Sequence, residues 1–257
     1  MVDHITRRVG SGVIEIAPHN SILDRSWFDS QIEGNPQWRE ASELRIVVLN
    51  AAGVVGGLDQ SGFHFNSTDA PQAVLYMSQN KKTRVFVAGT SFEYGLSGES
   101  TERLDPYDSP LRPSEDYGQS KKLGFDSLRR HIALQDNLAY GRIFQAWGGK
   151  EPPSRLIPTV LRNAEAGQVT ELNSGLAVRD FISATQVCDQ IYKFFGSPWM
   201  SRRIVNICIG EALSVEQFCK KLLVDLDLNS DFVKSNRRIE HPYTRLVGVP
   251  LDDYRDN

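Results

Sequence analysis

Cysteine is scarce in this chain, long apolar runs are missing, and neither sign of charge is in strong excess. Cys188, Cys208 and Cys219 make an odd count without metal-ligand spacing. They read as reduced, packed thiols of a cytoplasmic protein, not as a disulfide framework or a zinc site. The five histidines, His4, His19, His64, His131 and His241, are scattered, so no metal site is expected. No apolar stretch reaches the roughly 18 residues of a membrane span, and none reads as a secretory h-region, so no membrane span is expected. The formal net charge of -3 and pI near 6.0 argue against a nucleic-acid or membrane surface. Internal repeats and low-complexity tracts are also lacking. What remains is an ordinary globular composition, 40% hydrophobic and 24% charged over 257 residues, enough to bury a sizeable core.

The pattern along the chain alternates strand and helix. Residues 1–8 read as the tail of a helix, Gly10 and Gly12 break it, and residues 13–16 form a short strand stopped by Pro18. Asp24 or Ser26 could cap a helix that carries Trp27, Phe28 and Ile32. Arg45-Ile-Val-Val-Leu49 is a continuous apolar strand of the kind covered on both faces in a parallel sheet. It runs into small residues, Asn50-Ala-Ala-Gly53, where a ligand could approach the backbone. A helix follows over 66–79, then a strand from Arg84 to Thr90, at βαβ length. Residues 96–116, rich in Gly, Ser, Pro and charge, form a long loop over the strand ends. A helix from Tyr117 through Ile132 leads to a strand over 137–144. Pro152-Pro153 marks a boundary. Beyond it come a helix over 156–166, an extended piece over 169–172, and one short strand over 179–182 leading into a helix through Phe195. A strand over 204–209 and a helix capped by Ser214 follow, and from Asn229 the chain is polar. This order predicts a doubly wound parallel α/β fold, with ligands beyond the carboxyl ends of the strands.

Three strand ends fall together in that scheme: residues 50–53, Thr90 to Tyr94, and Phe144-Gln145. Tyr117 and Lys121 are one helical turn apart and can face the same side. A strand-end hydroxyl, a phenol and an ammonium suit hydride transfer at a carbonyl or alcohol. The phenol exchanges a proton with the substrate oxygen, and the ammonium is expected to lower the phenol's pKa from its usual ~10. The Thr hydroxyl orients the same oxygen. Taken alone, a Tyr and a Lys at this spacing are more often the marks of an exposed helix with a solvated Lys.

Taken together, Asn50-Ala-Ala-Gly53, Asn66, Gly89-Thr-Ser-Phe-Glu-Tyr-Gly95, Tyr117-Gly-Gln-Ser-Lys121, Arg142-Ile-Phe-Gln145, Arg155-Leu-Ile-Pro158, Arg179-Asp-Phe181 and Val205-Asn206 with Ser214 resemble the extended short-chain dehydrogenase/reductase family. That family comprises nucleotide-sugar epimerases, dehydratases and ketoreductases. The resemblance spans about residues 1–226. It implies a Rossmann-like domain over 1–150 and a smaller, mainly substrate-binding region over 151–257, with 179–209 partly returning to the core. It gives Thr90, Tyr117 and Lys121 the catalytic positions. It gives Asp24, Ala51, Ala52, Gly53, Asn66, Phe144, Tyr117 and Lys121 to the cofactor, NAD or NADP. Thr90, Gln145, Arg155, Leu156 and Arg179 fall to the nucleotide-sugar. A guanidinium on a sugar diphosphate makes physical sense. A surface ion pair is the alternative for Arg155 and Arg179. A homodimer through the helices of Asn66 and Tyr117 is the expected assembly.

The departures from the family pattern are specific. No strand, GxxGxxG turn and helix opens the chain, although the family binds the pyrophosphate there. Met1 falls in the second half of the family's first helix. The expectation is a chain whose natural start lies upstream, with a shortened relative of impaired cofactor binding as the alternative. No acidic residue stands clearly after the strand at 13–16, where Ala17-Pro18-His19-Asn20 occur, so NADP stays open. Asp24 resembles an acidic residue placed near adenine and is equally a helix cap. Gln145 replaces an Asn, and Gln186 replaces an Asp, which puts a capping contact in doubt. Ser91-Phe92 follow Thr90 where the family's 4,6-dehydratases carry Asp-Glu. No Cys lies near Tyr117, as the 3,5-epimerase/reductases would need. Two reactions are left: 4-epimerisation, and reduction of a 4-keto-deoxy sugar, the latter suggested by the wording Ser-Phe-Glu-Tyr-Gly. A non-catalytic relative that binds nucleotide-sugar is the third reading.

Overall fold

The computed structural model describes residues 45–49, 59–79, 83–95, 102–149, 151–173, 175–196, 202–236 and 245–253. The expected helix at 1–8, the strand at 13–16, Asp24, and the loop with Ala51, Ala52 and Gly53 lie outside the described residues.

The strands in chain order are β1 (Arg45–Leu49), β2 (Thr83–Thr90), β3 (Leu138–Ile143), β4 (Gln145–Trp147), β5 (Thr170–Leu172) and β6 (Val178–Arg179). They continue with β7 (Phe181–Ser183), β8 (Ile204–Ile207), β9 (Leu213–Ser214), β10 (Val233–Ser235) and β11 (Arg245–Leu246). The helices are α1 (Gln60–His64), α2 (Ala70–Ser78), α3 (Asp116–Leu134), α4 (Leu156–Glu165), α5 (Ala184–Gly196) and α6 (Val215–Asp225). A π-helical segment, Phe65–Asp69, joins α1 to α2 without a break.

The main sheet runs β1-β2-β3-β8, and every neighbouring pair is parallel. Side chains alternate across β2. Val85 and Val87 pack with Val74 of α2 and with Phe125, Leu128 and Ile132 of α3 on one face. Phe86 packs with Val187, Ile191 and Phe194 of α5 on the other. Both faces are covered, as the continuous apolar strands predict. Full burial of each large apolar side chain contributes roughly 1.5–3 kcal/mol. A separate cluster joins Val160 of α4, Leu172, Phe218 and Leu223 of α6, and Val233. Phe181 and Phe218 stack there at 3.8 Å.

Helix α3 carries the expected Tyr117–Lys121 pair. Its buried face carries Lys121, Phe125, Leu128 and Ile132, three or four residues apart, and this stripe lies against the sheet. Tyr117 is one turn further toward the N-terminus on the same side. Because α3 connects two parallel strands, its N-terminus lies at their carboxyl ends, beside Thr90. Close approach to the π segment needs Gly124. A Cβ there would stand 2.6 Å from the Asn66 carbonyl oxygen.

Several expectations are corrected. The helix expected from Asn66 starts at Gln60, capped by Asp59, whose carboxylate accepts from the Gly62 N–H at 2.8 Å. The single strand expected over 179–182 is two strands in different sheets. β6 pairs with β11 and β9, whereas β7 pairs with β4, and Asp180 makes the crossing between them. β8 stops at Ile207 because the next amides turn to Gln190 and Asp180. Gln186 keeps the capping contact. It accepts from the Ser183 N–H at 2.9 Å while Ser183 Oγ accepts from its own N–H at 3.2 Å. Ser214 caps α6 in the same way, as expected. Past Asn229 the chain forms a short 3₁₀ turn and β10. All three cysteines are buried and free. Among the described residues no helix is long and apolar enough to cross a membrane, and no cluster of His, Cys, Asp and Glu could hold a metal.

Candidate active site

Thr90 ends β2 in extended backbone and caps the 3₁₀ turn Ser91–Tyr94. Its Oγ1 accepts from the Phe92 N–H at 3.4 Å and lies near enough to the Tyr117 phenol to act on its ionisation. The Tyr117 ring meets Phe92 edge-on at 6.3 Å. Lys121 is buried, and its Nζ donates to the Ala88 carbonyl at 3.4 Å, two residues before Thr90. Fold and sequence spacing thus bring Thr90, Tyr117 and Lys121 to one strand end.

The electrostatics differ from the expectation of a lowered phenol pKa. Burial pushes Tyr117 up to about 12, and the Glu93 charge adds to it. The Thr90 hydrogen bond and the Arg155 charge pull the other way. Lys121 falls to about 8, chiefly through burial, while Glu93 opposes the fall. The desolvation of both groups outweighs their attraction for the opposite charge. One consequence is measurable. Between pH 8 and 10.5 the Lys121 amine holds fewer protons folded than unfolded. Stability therefore rises with pH across that window. The thermal midpoint of the wild type should gain on that of Lys121→Met between pH 8 and 10, and equal slopes would contradict the assignment.

Glu93 is the functional-site residue that sequence reasoning missed. It is fully buried. Oε1 accepts from the Thr90 N–H at 2.8 Å and from the Tyr140 hydroxyl at 2.7 Å, and Oε2 accepts from Arg142 Nε–H at 2.8 Å. The Arg142 guanidinium lies 4.5 Å from the Phe125 ring centre and 5.1 Å from that of Tyr94. The Tyr94 hydroxyl donates to Asn206 Oδ1 at 2.7 Å. The sequence signal was available: Thr90-Ser-Phe-Glu93 has the spacing of a capping box.

The remaining expected residues are placed as follows. Asn66 is buried in the π segment, and its Nδ2 donates to Ser120 Oγ at 3.2 Å. Phe144 is packed with Tyr94, Cys208 and Leu246. Gln145 opens β4, its N–H donating to the Asp180 carbonyl at 3.0 Å. Arg155 is exposed at the N-terminus of α4, close enough for its charge to act on Tyr117. Leu156 packs on the second cluster. Arg179 is buried, with Nη1 donating to its neighbour's carbonyl, Val178 O, at 2.8 Å. Asp180, next to Arg179 in the chain, accepts from the N–H groups of Ile209, Gly210 and Gly248. Burial raises its pKa, and these three bonds oppose the rise.

A sequence model described as the NAD dependent epimerase/dehydratase family matches residues 31–208. Comparison with curated proteins gives no match. Several solved structures share the fold. A UDP-glucose-4-epimerase from Stenotrophomonas maltophila, with bound NAD and formylated UDP-arabinopyranose, is 18% identical with a TM-score of 0.74, over 96% of this chain and 77% of that one. A dTDP-glucose 4,6-dehydratase from Bacillus anthracis, in complex with NAD, is 17% identical with a TM-score of 0.70, over 90% and 70%. DesIV, a dTDP-glucose 4,6-dehydratase from Streptomyces venezuelae with NAD and TYD bound, is 19% identical with a TM-score of 0.69, over 92% and 73%.

Proposed function

Because the chain belongs to the NAD dependent epimerase/dehydratase family, we propose that it inverts C4 of a nucleotide-linked sugar by oxidation and re-reduction at Thr90, Tyr117 and Lys121. The observation that carries this reading is the convergence of those three side chains at the end of β2. NAD or NADP, when bound, accepts and returns the hydride. The described residues fit such a group: Lys121 is buried with one long hydrogen bond, to Ala88, which leaves two N–H donors for ribose hydroxyls. Tyr117 exchanges the proton of the C4 oxygen, and Thr90 orients that oxygen. Arg155, near Tyr117, is suited to the sugar diphosphate, with Gln145, Leu156 and Arg179 on the same side of the assignment. The cofactor part is assigned to residues 1–150 and the substrate part mainly to 151–257, with a homodimer as the working assembly.

Dehydration is set aside because Ser91 and Phe92 follow Thr90 without an acid–base pair. A second reading, reduction of a nucleotide-linked 4-keto-deoxy sugar, is favoured by one observation: burial and Glu93 hold the Tyr117 phenol in its protonated form. The test supplies UDP- and dTDP-hexoses with NAD, and in parallel a 4-keto-deoxy sugar nucleotide with NADH or NADPH. C4 inversion with no net change in cofactor supports epimerisation. Stoichiometric loss of reduced cofactor supports reduction. Absence of both, with no calorimetric binding of any nicotinamide dinucleotide, supports a non-catalytic nucleotide-sugar binder.

A further inference from the structure

One buried carboxylate has no step of its own in the C4 inversion proposed above. Glu93 takes two hydrogen bonds on Oε1, from the Thr90 amide and the Tyr140 hydroxyl, and one on Oε2 from Arg142. A capping carboxylate at the surface would not need a buried guanidinium. Here the pair is fully enclosed, and Arg142 is held by Glu93, by the Pro106 carbonyl at 3.2 Å and by three aromatic rings. The backbone is shaped around the contact. A Cβ on Gly89 would stand 2.5 Å from Glu93 Oε1 and 2.3 Å from Tyr140 Cε1, so the residue before Thr90 leaves room for both. Glu93 thus touches the backbone of Thr90, and the Thr90 hydroxyl meets the Tyr117 phenol.

We propose that Glu93 is a positioning residue of this site: its hydrogen bond fixes Thr90, and its buried negative charge keeps the Tyr117 phenol in its protonated resting form. This rests on the reading of Tyr117 as the proton-exchanging group, and it deepens that reading by naming what sets the form in which the phenol rests. The charges around the phenol are accounted for element by element. Glu93 comes from the turn after β2. Lys121 comes from α3, Arg142 and Tyr140 from β3, and Arg155 from the start of α4. Among these, Glu93 pushes the phenol toward its protonated form, and Arg155 pushes it the other way.

The test separates the charge from the hydrogen bond. Tyrosine labelled with ¹³C at ring Cζ is followed by NMR against pH in the cofactor-free protein, with Tyr117→Phe assigning the resonance. The double variant Glu93→Gln/Arg142→Met removes both buried charges together. Tyr117 should then titrate at least about one pH unit lower than in the wild type. Glu93→Asp keeps the charge but shortens the arm that reaches Thr90. It should leave the titration near the wild-type value while lowering kcat at least about tenfold, with KM for the nucleotide-sugar within about threefold. An unchanged Tyr117 titration in the double variant overturns the proposal. So does a wild-type kcat in Glu93→Asp, and this second arm decides the matter if the double variant fails to fold. The titration needs no turnover. An inactive wild type whose Tyr117 still responds to the double variant therefore counts against the reaction alone, and not against the coupling.

Discussion

Tyr117→Phe is expected to lower kcat by about 10²–10⁴-fold, the range that one positioned acid–base group supplies. The ring keeps its edge contact with Phe92, and α3 keeps its buried stripe, so the fold should survive. What is lost is the hydroxyl and, at most, one hydrogen bond to the neighbouring Thr90. One such bond contributes about 0.5–1.5 kcal/mol to stability, too little to unfold the domain. The measurement is kcat on whichever sugar nucleotide proves to be a substrate, alongside circular dichroism and urea unfolding of both proteins. A variant that folds and turns over within threefold of the wild type would remove Tyr117 from the mechanism. KM should move little, because the phenol interacts with an oxygen whose charge changes during the reaction.

Arg142→Ala should be the most destabilising of the single substitutions considered, at about 3–5 kcal/mol. Glu93 would stay buried without its cation, and the three surrounding rings would line an empty space. The loss should depend on pH in a defined direction. A buried carboxylate without its partner binds a proton more readily folded than unfolded, so its penalty is full above its raised folded pKa, shrinks as pH falls toward the ordinary Glu value of about 4.3, and is gone below that. Urea midpoints of wild type and variant should therefore converge on acidification from neutral pH toward 4. Constant separation would indicate that lost packing, and not a stranded charge, is responsible. Removing both charges together should cost less than the sum of the two single changes, because neither partner is then left alone.

Much of this site is legible in the sequence because its signals are local. Val85 to Thr90 reads as a buried strand ending in a hydroxyl, and Tyr117 with Lys121 reads as one helical face. The structure keeps both. The Glu93–Arg142 pair is not legible in that way. Its partners lie 49 residues apart, and they meet only because β2 and β3 are neighbours in the sheet. Burial, with that charge added to it, then reverses the expectation for Tyr117, since a spacing rule sees the nearby Lys and neither the burial nor the Glu. Asp180 escapes for a related reason. Arg-Asp-Phe-Ile reads as one strand, but the Asp carboxylate binds amides 29, 30 and 68 residues away, and the chain changes sheet around it.

The π segment has a consequence of its own, best put as phase. Gly62, Asn66, Ala70 and Val74 are all buried at intervals of four residues. In a regular helix of 3.6 residues per turn, each such step drifts by about 40°, so the first and last would face directions about 120° apart. The wider turn at Phe65–Asp69 absorbs that drift and keeps the two halves in step with the same neighbours. The helix therefore carries, in effect, one inserted residue per pass, and its two ends are tied by a count and not by composition. Deleting a single residue there would leave a sequence that still favours helix, yet would swing every upstream side chain by about 100°. Asn66 and Gly62 would then face away from the partners they were placed to meet.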